Sequence, residues 1–379
     1  MHSTPCWLPQ TMTWLYNQLR FLPPSMTNHI VCETNENLAQ FNLPNIHCFS
    51  DKNPWFYQWE KMLCALGLQN HYSFQNSMVR KHNPHILHSH FAYRGWADME
   101  IAKSSGTKHL VSVYGYDVTG LSKAGSRWLD RYLELFERAD RILCEGPHMA
   151  KHLQKMGCPE EKIKIHRLGV CINEIEFIPR TWENGAPFRI LIAATFKEKK
   201  GIPYALEALG RVLGEVPLEI TLIGDATSEP RSQLEKEKIL HTLKSQHLLA
   251  KIRLMGFQTH SILMKEAYKH HIFLSPSVTA GDGDTEGGAP ISIIEMAATG
   301  MPIVSTKHCD IPRVINDETT GLLATERDIG GLTERLRWLT SHPENWTSMV
   351  KAGRSHVEKE FNASTQGELL AKFYREILE

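Results

Sequence analysis

The strongest constraint on the fold is the alternation of short apolar runs with helical patterns after residue 186. Apolar runs predict strands at 189–194, 218–223, 251–255, 271–274 and 301–305. Helical spacing of apolar residues predicts helices at 202–213, 231–247, 260–270 and 290–299. Because parallel strands need crossover connections, this alternation indicates a parallel sheet that helices cover on both faces.

The first half of the chain repeats this pattern less clearly. Predicted strands lie at 85–88, 109–113, 141–144 and 162–166, and predicted helices at 10–20, 96–104, 126–138 and 147–156. We therefore predict an α/β protein with two doubly wound, Rossmann-like domains that face a central cleft. In such sheets, ligands bind at the carboxyl ends of the strands.

The domain boundaries follow from a change in composition. Residues 179–187 are polar and contain two prolines and a glycine, which is typical of a linker. We expect a first domain at 1–178 and a second domain at 188–358. Residues 359–379 carry an amphipathic helix that we expect to pack back toward the first domain.

Composition disfavours several classes of protein. Lys plus Arg and Asp plus Glu both total 42, so net charge gives no reason to expect nucleic acid as a partner. The eight cysteines are scattered without a Cys-x-x-Cys pair, which favours reduced thiols over disulfides or a zinc site. No basic and apolar leader is evident, and no apolar run reaches the roughly 18 residues of a spanning helix. We expect a cytoplasmic protein without a cofactor.

An acidic, glycine-rich loop at Asp282–Glu295 precedes a helix that we expect to begin at or near Pro290. Glycine lets the backbone approach a ligand closely, and a helix N-terminus offers free N–H groups and a positive dipole end. Glu286 and Glu295 bracket this cradle and offer acceptors for hydroxyls. The combination suits a sugar nucleotide, because that ligand carries both phosphates and hydroxyls.

The chain resembles the retaining, family-4-type glycosyltransferases of the GT-B fold, in particular bacterial enzymes of the exopolysaccharide and colanic-acid type. The motifs that carry the resemblance are Val113–Asp117, Glu145–Ala150, Leu168–Val170, Phe196–Gly201, Ile223–Asp225, Asp282–Glu295 and Gly300–Ser305. Each motif is weak alone, and their order across two domains makes the joint signal specific.

The resemblance implies a donor site in the second domain. It implies that Lys200 neutralises the nucleotide diphosphate, that Glu295 accepts both ribose hydroxyls, and that Glu286 lies near the hydroxyls of the transferred sugar. The phosphates would lie against the loop residues Gly287, Gly288, Ala289, Pro290 and Ile291. Without the resemblance, Lys200 could belong to a solvated charge run, and both glutamates could be surface charges.

In the first domain, Tyr114 and Asp117 follow a predicted strand and so lie at its carboxyl end. Asp117 could accept from a sugar hydroxyl or could form a turn. The resemblance places His90 and Glu145 on the acceptor side, and core packing of His90 is the alternative. His85, His88 and His90 suggest zinc, but no acidic or cysteine partner lies at a suitable spacing, so we predict no metal.

Several residues depart from the pattern of the family. Tyr114 stands where the family usually has histidine, and Thr195 stands where it usually has a phosphate-binding arginine. Lys197 and Lys199 are the candidates to replace that arginine. The loop between the two glutamates is one residue longer than usual. The start of the chain leaves little room for a strand before Trp7.

We expect a metal-independent, retaining glycosyltransferase that moves a sugar from a nucleotide-diphosphate sugar to a hydroxyl of a glycan or lipid-linked acceptor. Such an acceptor would bring the protein to the inner face of a membrane as a peripheral protein. Two alternatives remain open: a nucleotide-sugar 2-epimerase of the same fold, and a catalytically weak protein that only binds sugar nucleotides.

Overall fold

The computed structural model describes residues 1–9, 12–120 and 126–379. The chain forms two compact units. Unit 1 comprises Met1–Gly169 and Ala363–Glu379, and unit 2 comprises Val170–Asn362. Of the described helices, none combines the length and the apolar character that a membrane crossing requires.

Each unit contains one parallel sheet, as the alternating pattern predicted. The strands are β1 His2–Trp7, β2 Ile30–Asn35, β3 Ile46–Cys48, β4 Ile86–His90, β5 Lys108–Val113, β6 Arg141–Cys144, β7 Ile163–Ile165, β8 Phe188–Ala193, β9 Leu218–Ile223, β10 Ile252–Leu254, β11 Ile272–Ser275, β12 Ile303–Thr306 and β13 Leu322–Ala324. Their order is β3-β2-β1-β4-β5-β6-β7 in unit 1 and β10-β9-β8-β11-β12-β13 in unit 2. All the strand pairs between these elements are parallel.

Helices cover these sheets. They are α1 Thr13–Arg20, α2 Phe49–Lys52, α3 Pro54–Ala65, α4 Ser73–His82, α5 Ala92–Ser105, α6 Tyr116–Thr119, α7 Ser126–Arg138, α8 Pro147–Lys155, α9 Ile202–Val212, α10 Pro230–Ser245, α11 His260–Ala267, α12 Ile291–Ala298, α13 Ile311–Val314, α14 Ile329–Ser341, α15 Trp346–Glu360 and α16 Ala363–Leu378. The predicted helix 10–20 is present as α1, and its first two residues lie outside the described part of the chain.

Both sheets have the doubly wound strand order that the sequence predicted. In unit 2 the order corresponds to 3-2-1-4-5-6, and the winding reverses between β8 and β11. In unit 1 the reversal lies between β1 and β4. At such a reversal the connections leave in opposite directions, which opens a crevice at the carboxyl ends of the two strands.

One expectation about the start of the chain is wrong. His2–Trp7 forms β1, which pairs with β2 and with β4 in the middle of the sheet of unit 1. The run is polar and contains a proline, so its local sequence does not indicate a strand. Tertiary context decides here: the amino group of Met1 donates to the carbonyl of Ile86 over 2.8 Å, and Trp7 is fully buried.

The core of unit 2 lies on both faces of its sheet. One apolar cluster surrounds Phe188, Leu206 and Trp346, and a second surrounds Phe273 and Ile294. Burial of strands on both faces explains why β8, β9 and β11 read as continuous apolar runs in the sequence. In unit 1, α16 places Leu370, Tyr374 and Ile377 in the core, against residues of β4, β5 and β6.

Candidate functional site

Lys200 and Glu286 meet at the point where the winding of unit 2 reverses. Lys200 ends a 3-10 turn at Glu198–Lys200 after β8, and Glu286 lies in the loop after β11. The ammonium of Lys200 donates to both carboxylate oxygens of Glu286, over 2.9 and 2.7 Å. Gly201 makes this approach possible, since its φ is +63° and a Cβ there would lie 1.9 Å from the carbonyl oxygen of Pro276.

The carboxylate of Glu286 is nearly buried, with 6% of its side chain exposed. Burial alone would raise its pKa, but the charges of Lys200 and Lys199 outweigh burial and lower the pKa to about 2. The hydroxyl of Ser277 also donates to this carboxylate over 2.7 Å. Glu286 is therefore a fixed negative charge paired with the ammonium of Lys200.

His308 holds the backbone of Glu286 in place, and the sequence reasoning missed it. The N–H of Glu286 donates to Nε2 of His308 over 3.1 Å, while Nδ1 of His308 lies 2.7 Å from a carboxylate oxygen of Glu326. Because Nε2 accepts, the ring proton lies on Nδ1 and is donated to Glu326. The available signal was position: His308 closely follows β12 and Glu326 closely follows β13, both at the carboxyl edge.

Lys199 anchors the acidic part of the loop. Its ammonium donates to the carboxylate of Asp284 over 3.1 Å and to the carbonyl of Thr285 over 2.8 Å. Burial acts to lower the pKa of Lys199, but Glu286 and Asp284 outweigh it and raise the pKa, so this lysine keeps its charge. Lys197 pairs with exposed Glu229 over 3.3 Å instead. Of the two lysines considered as substitutes for the missing arginine, Lys199 lies nearer the loop.

The glycine-rich segment leads into α12, which begins at Ile291 with Pro290 as its N-cap residue. The side chain of Pro290 makes no capping hydrogen bond to this terminus. Gly287 has a φ of +79°, a conformation that favours glycine, and the carbonyl of Gly288 accepts from the N–H of Asp310 over 3.2 Å. The helix start and the turn before it can therefore receive an anion through backbone N–H groups.

Glu295 lies in the second turn of α12 and is buried. One of its carboxylate oxygens lies 2.8 Å from Nε2 of His260, the first residue of α11. The hydrogen bond to Glu295 raises the pKa of His260 and outweighs the opposing effect of burial. Sequence reasoning did not identify His260, because nothing in the separation of residues 260 and 295 indicates that they meet.

In unit 1, Tyr114 follows β5 and belongs to a chain of hydrogen bonds. Its hydroxyl is hydrogen-bonded to Nδ1 of His90 over 2.7 Å, and Nε2 of His90 lies 3.2 Å from Nδ1 of His2. His90 is fully buried. Burial raises the pKa of Tyr114, and the negative charge of Glu145, which follows β6, raises it further. The carboxyl ends of the neighbouring strands β4, β5 and β6 thus carry His90, Tyr114 and Glu145 along one edge of the sheet.

The carboxylate of Asp117 accepts hydrogen bonds from the backbone at this sheet edge. Its two carboxylate oxygens accept from the N–H of Ala92 over 2.8 Å and from the N–H of Tyr114 over 3.0 Å. Burial raises the pKa of Asp117 to about 6 in spite of these hydrogen bonds. The carboxylate therefore fixes the start of α5 and the main chain of Tyr114, which matches the turn-forming alternative for this residue.

Family profiles match both units. Residues 28–174 match the family described as Glycosyltransferase Family 4, and residues 187–342 match Glycosyl transferases group 1. The chain belongs to this family of glycosyltransferases, as the sequence motifs indicated.

Two curated relatives come from exopolysaccharide biosynthesis. One is the amylovoran biosynthesis glycosyltransferase AmsK of Erwinia amylovora, 32% identical over 72% of this chain and 65% of AmsK. The other is WcaL of Escherichia coli strain K12, named for colanic acid biosynthesis, 33% identical over 66% of this chain and 59% of WcaL. The chain therefore spans less than two thirds of the length of these relatives.

Solved structures confirm the GT-B fold. HepE of Anabaena, solved in complex with UDP and glucose, superposes with a TM-score of 0.77 over 99% of this chain and 100% of its own, at 12% identity. A sucrose-phosphate synthase from Thermosynechococcus elongatus superposes with a TM-score of 0.73, covering 99% and 98% of the two chains at 16% identity. At these identities the likeness concerns the fold alone.

Proposed function

We propose that this protein is a retaining glycosyltransferase that takes a sugar from a nucleotide-diphosphate sugar and transfers it to a hydroxyl of a glycan or lipid-linked acceptor. One observation carries the proposal: Lys200, Glu286 and the N-terminus of α12 lie together at the winding reversal of unit 2, with Glu295 one turn further along α12. HepE, of the same fold, was solved with UDP and glucose.

Donor binding would exchange partners within this site. The ammonium of Lys200 now pairs with Glu286, and a bound diphosphate would draw it away because a diphosphate carries more negative charge than one carboxylate. Glu286 would then accept from hydroxyls of the transferred sugar. Glu295, held by His260, would accept from the ribose hydroxyls. The backbone from Gly287 to Ile291 would face the phosphates.

The chemical step follows from the charge distribution. The bond between the anomeric carbon and the diphosphate oxygen breaks, and a bond from the acceptor oxygen forms on the same face of the sugar. The acceptor proton passes to the departing phosphate oxygen. Lys200 and the dipole of α12 stabilise the charge on the leaving group, and the negative charge of Glu286 favours the positive charge that develops on the ring. Two lysine ammonium groups at this loop support a mechanism without a metal.

A membrane-bound acceptor is supported by the outer face of α3 in unit 1. Trp55 is 88% exposed, Trp59 54%, Met62 44% and Leu66 65%, and their spacing of four, three and four residues places them on one face. Tyr57 and Glu60 on the opposite face are buried. Exposed tryptophans on one helix face are typical of a helix that lies in the membrane interface.

Donor binding tests the proposal directly. Thermal shift and calorimetric titration with UDP-, GDP- and ADP-sugars should identify one nucleotide that stabilises the protein. Glu295→Ala and Lys200→Ala should weaken that binding about tenfold or more, since each removes a charged partner of the ligand. Glu237→Ala and Lys244→Ala, exposed positions on α10, serve as matched controls. Unchanged donor affinity in both site variants would refute the donor site.

Product analysis separates transfer from the alternatives. A transferase releases nucleotide diphosphate in step with a new glycosidic bond when an acceptor is present, and the linkage keeps the donor's anomeric configuration. A 2-epimerase converts the donor alone and leaves its stereochemistry at C2 inverted. Binding without any turnover across a panel of donors and acceptors would leave only the binding protein.

A further inference from the structure

Three histidines converge at the amino edge of the sheet of unit 1. His29 directly precedes β2, His47 lies within β3, and His82 is the last residue of α4, just ahead of β4. β2 and β3 are neighbours, with Ile30 paired to Ile46. The sequence separates these histidines widely, and the fold brings one ring nitrogen of each within 4.8 Å of the other two.

The distances suit a small cation. Nδ1 of His29 lies 3.1 Å from Nε2 of His47. Zinc binds imidazole nitrogen at about 2.0–2.1 Å, so two nitrogens of a tetrahedral zinc site lie about 3.3 Å apart. The pair His29–His47 already has this separation, and the nitrogen of His82 needs to move by about 1.5 Å at most. Small side-chain rotations provide such a movement.

The rings have few other partners. Nε2 of His82 is buried and has no hydrogen-bond partner among the described residues. A metal ion between His29 and His47 would take the place of the ring proton in the hydrogen bond that joins their facing nitrogens.

A second histidine cluster in the same unit shows the contrast. His2, His88 and His90 also place their nitrogens close together, but they are buried. Both nitrogens of His88 are hydrogen-bonded, one to the hydroxyl of Tyr374 and the other to that of Ser112, each over 2.7 Å. A metal there would have to break this network. The first cluster is partly exposed and lacks such a network among the described residues, although one cavity of about 360 Å³ is lined by residues of both clusters.

We propose that His29, His47 and His82 form a binding site for a divalent transition-metal ion, with zinc as the physiological choice and water as a further ligand. Three imidazole nitrogens favour zinc over magnesium or calcium, which prefer oxygen ligands. The ion would join β2, β3 and α4 at the edge opposite to the strand ends that carry Tyr114 and Glu145. Its role is to stabilise unit 1, and it is independent of the proposed glycosyl transfer.

Metal titration of the full chain tests this site. The protein is prepared without a histidine tag and stripped with chelator, then titrated with zinc chloride by calorimetry and followed by thermal denaturation. We expect one zinc ion per chain and a higher melting temperature, and no effect of magnesium. Cobalt(II), substituted for zinc, should give visible absorption bands typical of imidazole coordination. This spectrum uses the wild-type chain and so does not depend on whether a variant folds.

Substitutions locate the ion. Zinc binding should weaken at least about tenfold in each of the variants His29→Asn, His47→Asn and His82→Asn. Loss of a residue that merely hydrogen-bonds to a metal ligand already costs about tenfold or more, and loss of the ligand itself should cost at least as much. His241→Asn, an exposed histidine on α10, is the matched control and should bind zinc like the wild type. Absence of zinc binding by the tag-free wild type would overturn the proposal. Wild-type affinity in all three site variants would overturn it as well.

Discussion

Replacement of Lys200 by alanine probes the buried ion pair at the centre of the candidate donor site. The pKa of Glu286 is about 2 in the folded chain and 4.5 in its ordinary state. At about 1.4 kcal/mol per pKa unit, this difference corresponds to about 3 kcal/mol of stability at neutral pH. Lys199 keeps part of the effect, so we expect Lys200→Ala to cost about 2–3 kcal/mol.

The sign of the pH dependence follows from the lowered pKa. Ionised Glu286 contributes its stability above pH 4.5, and this contribution is lost as the pH falls toward about 2. The difference between wild type and Lys200→Ala should therefore be largest at pH 7 and should shrink below about pH 4.5. A surface pair would give a small difference that salt removes.

Calorimetry of the full chain measures this effect. A loss of about 2–3 kcal/mol lowers the melting temperature of a unit of this size by about 4–12 °C. The double variant Lys200→Met with Glu286→Gln should recover most of the loss, because it leaves no buried charge without a partner. If Lys200→Ala melts within 1–2 °C of the wild type at pH 7, which corresponds to about 0.5 kcal/mol, the reasoning about a buried pair is wrong. It is also wrong if the double variant melts no higher than Lys200→Ala.

Three further predictions concern other parts of the two units. His260→Asn should destabilise the protein at pH 6, where His260 is charged beside Glu295. The difference in stability from the wild type should disappear as the pH rises through the pKa of His260, which Glu295 raises above 6.5, and calorimetry at several pH values measures it. Trp55→Ser should weaken binding to anionic lipid vesicles about tenfold in co-sedimentation, whereas the exposed Leu234→Ser on α10 should not. Tyr114→Phe removes the hydroxyl that bonds to buried His90 and should cost about 1–2 kcal/mol of stability in thermal denaturation, and an unchanged melting temperature would contradict the importance of that hydrogen bond.

The sequence predicted the fold where strands are buried on both faces. β8, β9 and β11 read as apolar runs because helices cover both sides of them, and the prediction agrees with the structure within one or two residues. β1 was not predicted as a strand because its residues before Trp7 are His, Ser, Thr, Pro and Cys, and only the burial supplied by its neighbours places it in the sheet. β3 and β13 have three residues each and were not predicted, whereas the equally short β7 and β10 were predicted from the alternation in Ile163–Ile165 and Ile252–Leu254.

The sequence indicated some residues of the candidate site but not the residues that they contact. Lys200, Glu286 and Glu295 lie in local sequence patterns, so single residues could be proposed before their contacts were known. Their partners are His308, which follows β12, and His260, the first residue of α11, and only the fold of unit 2 brings them to these glutamates. The sequence alone left the role of Asp117 open because a carboxylate after a strand can bind backbone or ligand, and both of its oxygens here accept from backbone N–H groups.

The proposed transfer mechanism and the proposed zinc site predict different effects of a chelator, one on the reaction rate and the other on the melting temperature. Transfer that relies on Lys200 and the dipole of α12 should keep its initial rate in EDTA at 20 °C, while removal of zinc from His29, His47 and His82 should lower the melting temperature. In His47→Asn that has been dialysed free of loosely bound metal, EDTA should change neither the initial rate nor the melting temperature, because the weakened site no longer retains zinc. A wild-type rate that falls at once in EDTA and returns with magnesium or manganese would refute the metal-independent mechanism and leave the zinc site untouched. A melting temperature that falls equally in wild type and His47→Asn would refute the zinc site and leave the mechanism untouched. EDTA thus separates the two proposals, because the mechanism predicts the transfer rate and the zinc site predicts the melting temperature of unit 1.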